Sequence, residues 1–164
     1  MSGGREIIRS PAAWIGASTI VIVVLAVSFF WTANAIPYAD PENADLVAEG
    51  RNIYAAMCAG CHGAKLEGQK NWRQRGDDGK LPAPPHNKTG HTWHHADEVL
   101  FEITKRGTGG ALGLKDYESD MPAYEDTLTD RQIVAVLAFI KSNWPREILE
   151  RQQEIDTRSI GKTE

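Results

Sequence analysis

"YAAMCAGCHGAKLEG", residues 54–68, holds both cysteines of a 164-residue chain and the first of its five histidines. Two thiols three residues apart, followed directly by His62, admit three chemistries: a redox dithiol, part of a metal site, or a covalent haem anchor. Each needs a different local framework, so choosing among them also chooses the fold.

A redox dithiol should open a helix after a strand in a βαβ pattern. Here the pair ends a helical pattern instead. Leu46, Val47, Ile53, Tyr54 and Met57 recur at helical offsets, with Asn43 or Asp45 placed to cap the start. A four-ligand zinc site wants a second Cys/His pair at ligand spacing, and the later histidines, His86, His91, His94 and His95, are irregularly spaced. Cys-x-x-Cys-His is the c-type haem attachment signature. On a helical turn, residues i and i+3 sit about 5–6 Å apart on one face. Cys58 and Cys61 can therefore each form a thioether to one of two neighbouring vinyl groups, and His62 then offers an imidazole nitrogen to the iron.

Haem attachment of this kind accompanies export, and the N-terminus supplies an export signal. Residues 10–39 contain no charged side chain, and "WIGASTIVIVVLAVSFFW", residues 14–31, is nearly pure apolar sequence. Those 18 residues span roughly 27 Å as a helix, close to a hydrocarbon core of about 30 Å. Trp14 and Trp31 bound the run, where interfacial aromatics are favoured, and Arg5 and Arg9 precede it, which keeps the N-terminus cytoplasmic. "TANA" ends in Ala33-x-Ala35, an acceptable signal-peptide cleavage pattern. The run exceeds an ordinary signal core of roughly 7–15 residues, so an uncleaved anchor is expected, and the remainder is exported in either case. Of the charged residues only Arg5, Glu6 and Arg9 precede residue 36, leaving 16 Lys+Arg and 21 Asp+Glu in residues 36–164. An acidic chain without a basic stripe argues against nucleic acid as partner. Phosphate-binding glycine loops and Gly-x-Ser-x-Gly nucleophile patterns are absent from the sequence.

An iron held by one histidine needs a second axial group or stays open to substrate. Met57 adjoins the attachment motif and cannot swing to the opposite face. Met121, in "YESDMPAYED", lies 59 residues after His62 in a polar, turn-prone setting, an unlikely place for a core filler. Pro122 follows at once, and its fixed φ suits an extended segment laid against a flat macrocycle. Met121 is therefore the expected sixth ligand, ahead of His86, His91, His94 and His95.

With "CAGCHG", "LPAPP", "SDMPAY" and the closing helix "RQIVAVLAFIK", the chain resembles a class I c-type cytochrome, specifically the membrane-anchored bacterial monohaem type, over about residues 44–144. The resemblance implies a small all-α domain wrapped on one covalent haem c, acting as a one-electron carrier and not as an enzyme. It implies Cys58 and Cys61 as the attachment residues and His62 and Met121 as axial iron ligands. It also implies that Gly50 and Tyr54 of the first helix cross the last helix near Leu137 and Phe139. A proline carbonyl is expected to accept a hydrogen bond from the proximal histidine, with Pro84 ranked ahead of Pro82 and Pro85. Trp93 is expected in the haem environment, and His91, His94 and His95 either contact propionates, bind a separate copper or zinc with His86, or simply belong to a loop.

The organisation expected is a cytoplasmic stretch over 1–11, a single transmembrane helix over 12–33, a linker over 34–43, the haem domain over 44–144 and a charged extension over 145–164. "TLTDRQIVAVLAFIKSNWP" opens with a capping box, Thr129 with Gln132, carries Ile133, Val136, Leu137 and Ile140 as one stripe, and stops at Pro145. "ADEVLFEITKRG" reads as a middle helix with Gly107 as its stop. The glycine-rich stretch after it is flexible or tightly turned. The extension is either a solvated helix or a frayed tail. The location implied is a bacterial inner membrane with the haem domain in the periplasm, between membrane-bound donor and acceptor complexes; no residue pattern sets an oligomeric state. Competing readings are a subunit of a dehydrogenase or oxidase complex, a haem-based sensor, and a copper-handling protein.

Overall fold

The computed structural model describes residues 39–160; the anchor expected over residues 12–33 lies outside them. Among the described residues no helix is long and apolar enough to cross a membrane. Five α-helices and one 3₁₀ turn, with no strand among the described residues, make an all-α domain.

Helix α1, Ala44–Met57, begins where Asn43 Oδ1 accepts the Leu46 N–H at 3.0 Å, satisfying one of the first-turn donors. It runs almost directly into α2, Ala59–His62, a single turn stopped by Gly63 at φ 81°. A long irregular segment leads to the 3₁₀ turn Thr92–His94 and then to α3, Asp97–Leu112. Gly107 interrupts α3 at φ 71° and ψ 163°. The expected stop is thus present, but the chain re-enters helix for residues 108–112 and leaves it finally at Gly113, in the left-handed region. Helix α4, Asp130–Ser142, carries the expected capping box, with both Thr129–Gln132 hydrogen bonds made. Helix α5 is Arg146–Ile160.

Helix α4 is the centre of the fold. A single apolar stripe was the expectation, yet every residue from 133 to 141 is buried. The reason is that α1 and α3 both pack on α4, and Trp144 just beyond it joins the same core. The α1–α4 crossing is very close: a Cβ built on Gly50 would stand 1.9 Å from the Ala135 carbonyl oxygen. Ala135, not Leu137, is therefore what Gly50 meets. One turn on, the Tyr54 and Phe139 rings lie with centroids 5.2 Å apart. A glycine that costs about 0.5–1 kcal/mol within a helix is retained here because no side chain fits between the backbones.

The extension after Pro145 is docked on the domain. Ile148 and Leu149 pack against the core of Tyr54, Leu66, Val136, Phe139, Ile140 and Trp144. Beyond them, Gln152 is 0% exposed and donates to Asp97 Oδ1 at 2.8 Å. The same carboxylate accepts from the Lys141 ammonium through both of its oxygens, at 2.8 and 2.7 Å, and Lys141 is 1% exposed. Asp156 Oδ1 accepts the Asp97 N–H at 2.6 Å, and its other oxygen lies 3.8 Å from Lys141 Nζ. Asp97 is thus a buried ion-pair partner as well as a first-turn acid. Burial, reinforced by Asp97, raises the Asp156 pKa above the ordinary carboxylate value of 3.8, against the opposing pull of the Asp97 N–H, Lys141 and Gln152.

Two outcomes follow from this packing. Gly50→Ala should lower stability by about 1–3 kcal/mol, as overpacking does, although the same change in an open helix would stabilise it; thermal unfolding reads the sign. A carboxyl that binds its proton more tightly when folded favours the fold below pH 3.8 and loses that contribution as pH rises through its raised value. Asp156→Asn keeps an acceptor for Asp97 N–H without the charge. Its melting temperature should equal or exceed that of the parent at pH 7, and the difference should vanish toward pH 3.8.

Candidate functional site

The site begins at the end of α1. His62 N–H and Cys61 N–H both point back to the Cys58 carbonyl, at 2.9 and 3.2 Å, so the two cysteines and the histidine share one helical turn. Cys61 is exposed and Cys58 partly so, and the two are not joined as a disulfide. Burial, with Cys61 adding to it, pushes the Cys58 pKa up to about 11. A redox nucleophile needs the opposite shift.

His62 is only 7% exposed. Its Nδ1 lies 2.8 Å from the Pro84 carbonyl oxygen. A carbonyl can only accept, so Nδ1 carries the proton and Nε2 keeps the lone pair. Burial lowers the His62 pKa and so favours the neutral ring, against the opposing effect of the hydrogen bond to Pro84. The Pro84 segment is held against the histidine by a compact set of backbone contacts. Gly68 N–H donates to the His62 carbonyl at 2.8 Å, and Gln69 N–H to Ala83 O at 2.8 Å. Gly68 sits at φ 66°, and a Cβ there would lie 2.4 Å from Pro85 N, so the two loop strands pass without room for a side chain. Tyr54 contributes from α1 by donating its hydroxyl to Gly63 O at 3.0 Å.

Met121 lies on the loop between α3 and α4, half-buried, its N–H donating to Ser119 Oγ at 3.1 Å. The break at Gly107 is what holds this loop. Just before it, the Thr104 and Lys105 carbonyls accept from Tyr124 N–H at 3.2 and 3.0 Å, and Lys105 O also accepts from Glu125 N–H at 3.0 Å. Tyr124 then donates its hydroxyl to Met57 O at 3.0 Å. Burial and the nearby Cys58 and Cys61 raise the Tyr124 pKa. The Met121 segment is in this way tied to the turn that bears both cysteines. An ion pair between Lys80 and Asp120 pins the other loop beside it.

The histidines divide. His86 stacks on His62, ring centroids 4.0 Å apart and planes at 23°. The sequence leaves His86 open as an iron ligand, a copper or zinc ligand or a loop residue; its place two residues after Pro84 is the signal for this contact. His91 stacks on Trp72 with planes at 4° and meets His95 edge-on at 5.2 Å. Burial and the neighbouring imidazoles lower the pKa values of His91 and His95. Among the described residues no group of three or more His, Cys, Asp or Glu side chains is disposed to hold a metal ion, which removes the geometric basis for a separate copper or zinc site. Trp93 packs against the core, stacks on His94 at 3.7 Å and has Arg151 5.6 Å over its ring. Its Nε1 is buried with no hydrogen-bond partner among the described residues.

The Cytochrome c family model matches residues 47–144. No curated protein matches the chain, and no solved structure does. With that span covering more than half of the sequence, the chain belongs to the cytochrome c family, whose members hold haem c covalently and carry electrons. The residues present fit such a group. Cys58 and Cys61 are the one cysteine pair in the chain, they lie on one turn, and the neighbouring imidazole is neutral with its Nε2 lone pair available.

Gly107 has φ and ψ values open essentially to glycine alone. Gly107→Ala should cost about 1–3 kcal/mol in thermal unfolding, and amide exchange at Tyr124 and Glu125 should accelerate as their acceptors are disturbed.

Proposed function

We propose that this chain is a membrane-tethered one-electron carrier in which His62 and Met121 are the axial ligands of a single haem c attached through Cys58 and Cys61. The observation that supports this reading is the 2.8 Å hydrogen bond from His62 Nδ1–H to Pro84 O, which leaves the lone pair on Nε2, the nitrogen an axial ligand would use. A partner carbonyl of this kind fixes the tautomer and orientation of a metal-bound histidine and raises its basicity.

When bound, haem c supplies reversible one-electron iron chemistry. The protein's part would be to hold the iron through His62 and Met121, which would leave it no coordination site for a substrate. A thioether at Met121 stabilises the ferrous state and raises the potential relative to a second imidazole. The loop that carries Met121 is supported for this task by Tyr124 on one side and the Lys80–Asp120 pair on the other.

The apolar run before residue 36 serves as an inner-membrane anchor with the haem domain in the periplasm. Residues 34–43, 10 in number, reach at most roughly 33 Å when extended, so the domain serves donors and acceptors that are themselves at the membrane. Docking is brief and of small area, as electron-transfer encounters are, and the acidic exported part favours partners with a basic docking surface.

Visible spectra of the membrane fraction test this. The oxidised protein should be low-spin with a weak charge-transfer band at the red edge, and a chain whose residues 1–35 are replaced by a cleavable signal peptide should be exported and carry that spectrum into the soluble fraction. Met121→Ala should abolish the band, and Met121→His should keep the low-spin form at a lower potential. A high-spin spectrum in the parent, with ready binding of carbon monoxide, would favour the sensor reading instead.

A further inference from the structure

The residue packed on the face of His62 is another histidine, and it is anchored more firmly than an ordinary packing residue. His86 N–H donates to Leu66 O at 2.9 Å, and its carbonyl accepts from Trp144 Nε1 at 2.7 Å. Its ring is fixed as well. Nδ1 lies 2.9 Å from Thr92 Oγ1, and the Thr92 hydroxyl in turn reaches Pro85 O at 3.4 Å. Since Pro85 O can only accept, the hydroxyl donates to it and accepts from His86, which places the His86 proton on Nδ1. Tyr54 completes the enclosure, its ring edge-on at 6.3 Å.

Two imidazoles therefore lie nearly parallel, each with its Nδ1 proton tied to the same pair of prolines, directly through Pro84 O or by way of Thr92 to Pro85 O. The Pro84 bond by itself fixes which nitrogen of His62 is protonated but tolerates rotation of the ring about its own long axis. At a 4.0 Å centroid separation such a rotation drives the edge of His62 into the face of His86, and His86 cannot yield because four groups hold it.

We propose that His86 is a positioning residue that sets the plane of the axial His62 imidazole. The inference rests on the reading of His62 as an iron ligand. In a low-spin ferric haem that plane decides which haem methyl groups carry unpaired spin, so it is read directly as the pattern of their paramagnetically shifted proton resonances.

The experiment compares these resonances in the purified holoprotein and its variants. His86→Ala should shift and reorder the haem methyl resonances, whereas His86→Phe, which keeps a flat ring against His62, should restore the parent order. Thr92→Val, which frees the His86 ring without removing it, should move the pattern part of the way. Gln152→Ala, which weakens the α5 contacts to Asp97 and His95 O and touches neither imidazole, should lower the melting temperature with the pattern unchanged. An unchanged pattern in His86→Ala overturns the inference. Should His86→Ala fail to fold, an unchanged pattern in Thr92→Val overturns it equally. A parent protein without covalent haem, or with a non-histidine ligand in place of His62, defeats the functional reading itself and is seen before any His86 variant is made.

Discussion

The proximal half of the site is organised around the hydrogen bond between His62 Nδ1 and the Pro84 carbonyl. Everything nearby serves to bring those two atoms together across 22 residues of chain. The single turn of α2 sets the direction of His62. Gly63 and Gly68, both at positive φ, let the chain double back at once. Gly68 then admits Pro84 and Pro85 where any side chain would block them. The orientation and tautomer of the imidazole are thus a product of backbone geometry, while burial favours its neutral form.

The opposite loop is positioned by a different device, a helix broken on purpose. Had α3 run unbroken through Gly107, the Thr104 and Lys105 carbonyls would be spent inside the helix. With the break, they hold Tyr124 and Glu125, and Tyr124 reaches across to Met57. Both halves depend on the close crossing of α1 and α4 at Gly50 and Ala135, because that crossing locates the C-terminal end of α1, where the cysteines begin. The rear of the domain is closed by α5, through apolar contacts and the buried Lys141–Asp97 pair. A buried pair of this type adds little net stability, yet loss of one partner leaves an uncompensated charge, so it fixes where α5 sits more than how strongly.

What was legible in the sequence is what depends on near neighbours in the chain. The Asn43 cap, the Thr129–Gln132 box and the interruption at Gly107 are each written within a few residues. Gly50 was readable because a glycine inside an otherwise good helix asks for a close approach, though the partner came out as Ala135. The rest depends on residues far apart. No local pattern marks Lys141 as buried, since its counter-charges come from residues 97 and 156. The charged composition of residues 145–164 hid the docking of α5, because Ile148, Leu149 and Gln152 are too few to form a visible stripe. Helix α4 read as amphipathic because Val134, Ala135 and Ala138 are small, and only the presence of helices on several sides reveals that they too are covered. His86 was legible as a histidine near the site but not as the ring lying on His62, which requires Leu66, Thr92 and Trp144 to be in place.

The central proposal is that Cys58 and Cys61 carry one haem in thioether linkage beside a ligating His62. Acid–acetone extraction of the purified protein, followed by intact mass of the polypeptide, tests that claim most directly. The account predicts that the colour stays with the chain and that its mass exceeds the sequence by one haem. Colour that passes entirely into the solvent, leaving a chain at its sequence mass, would contradict it.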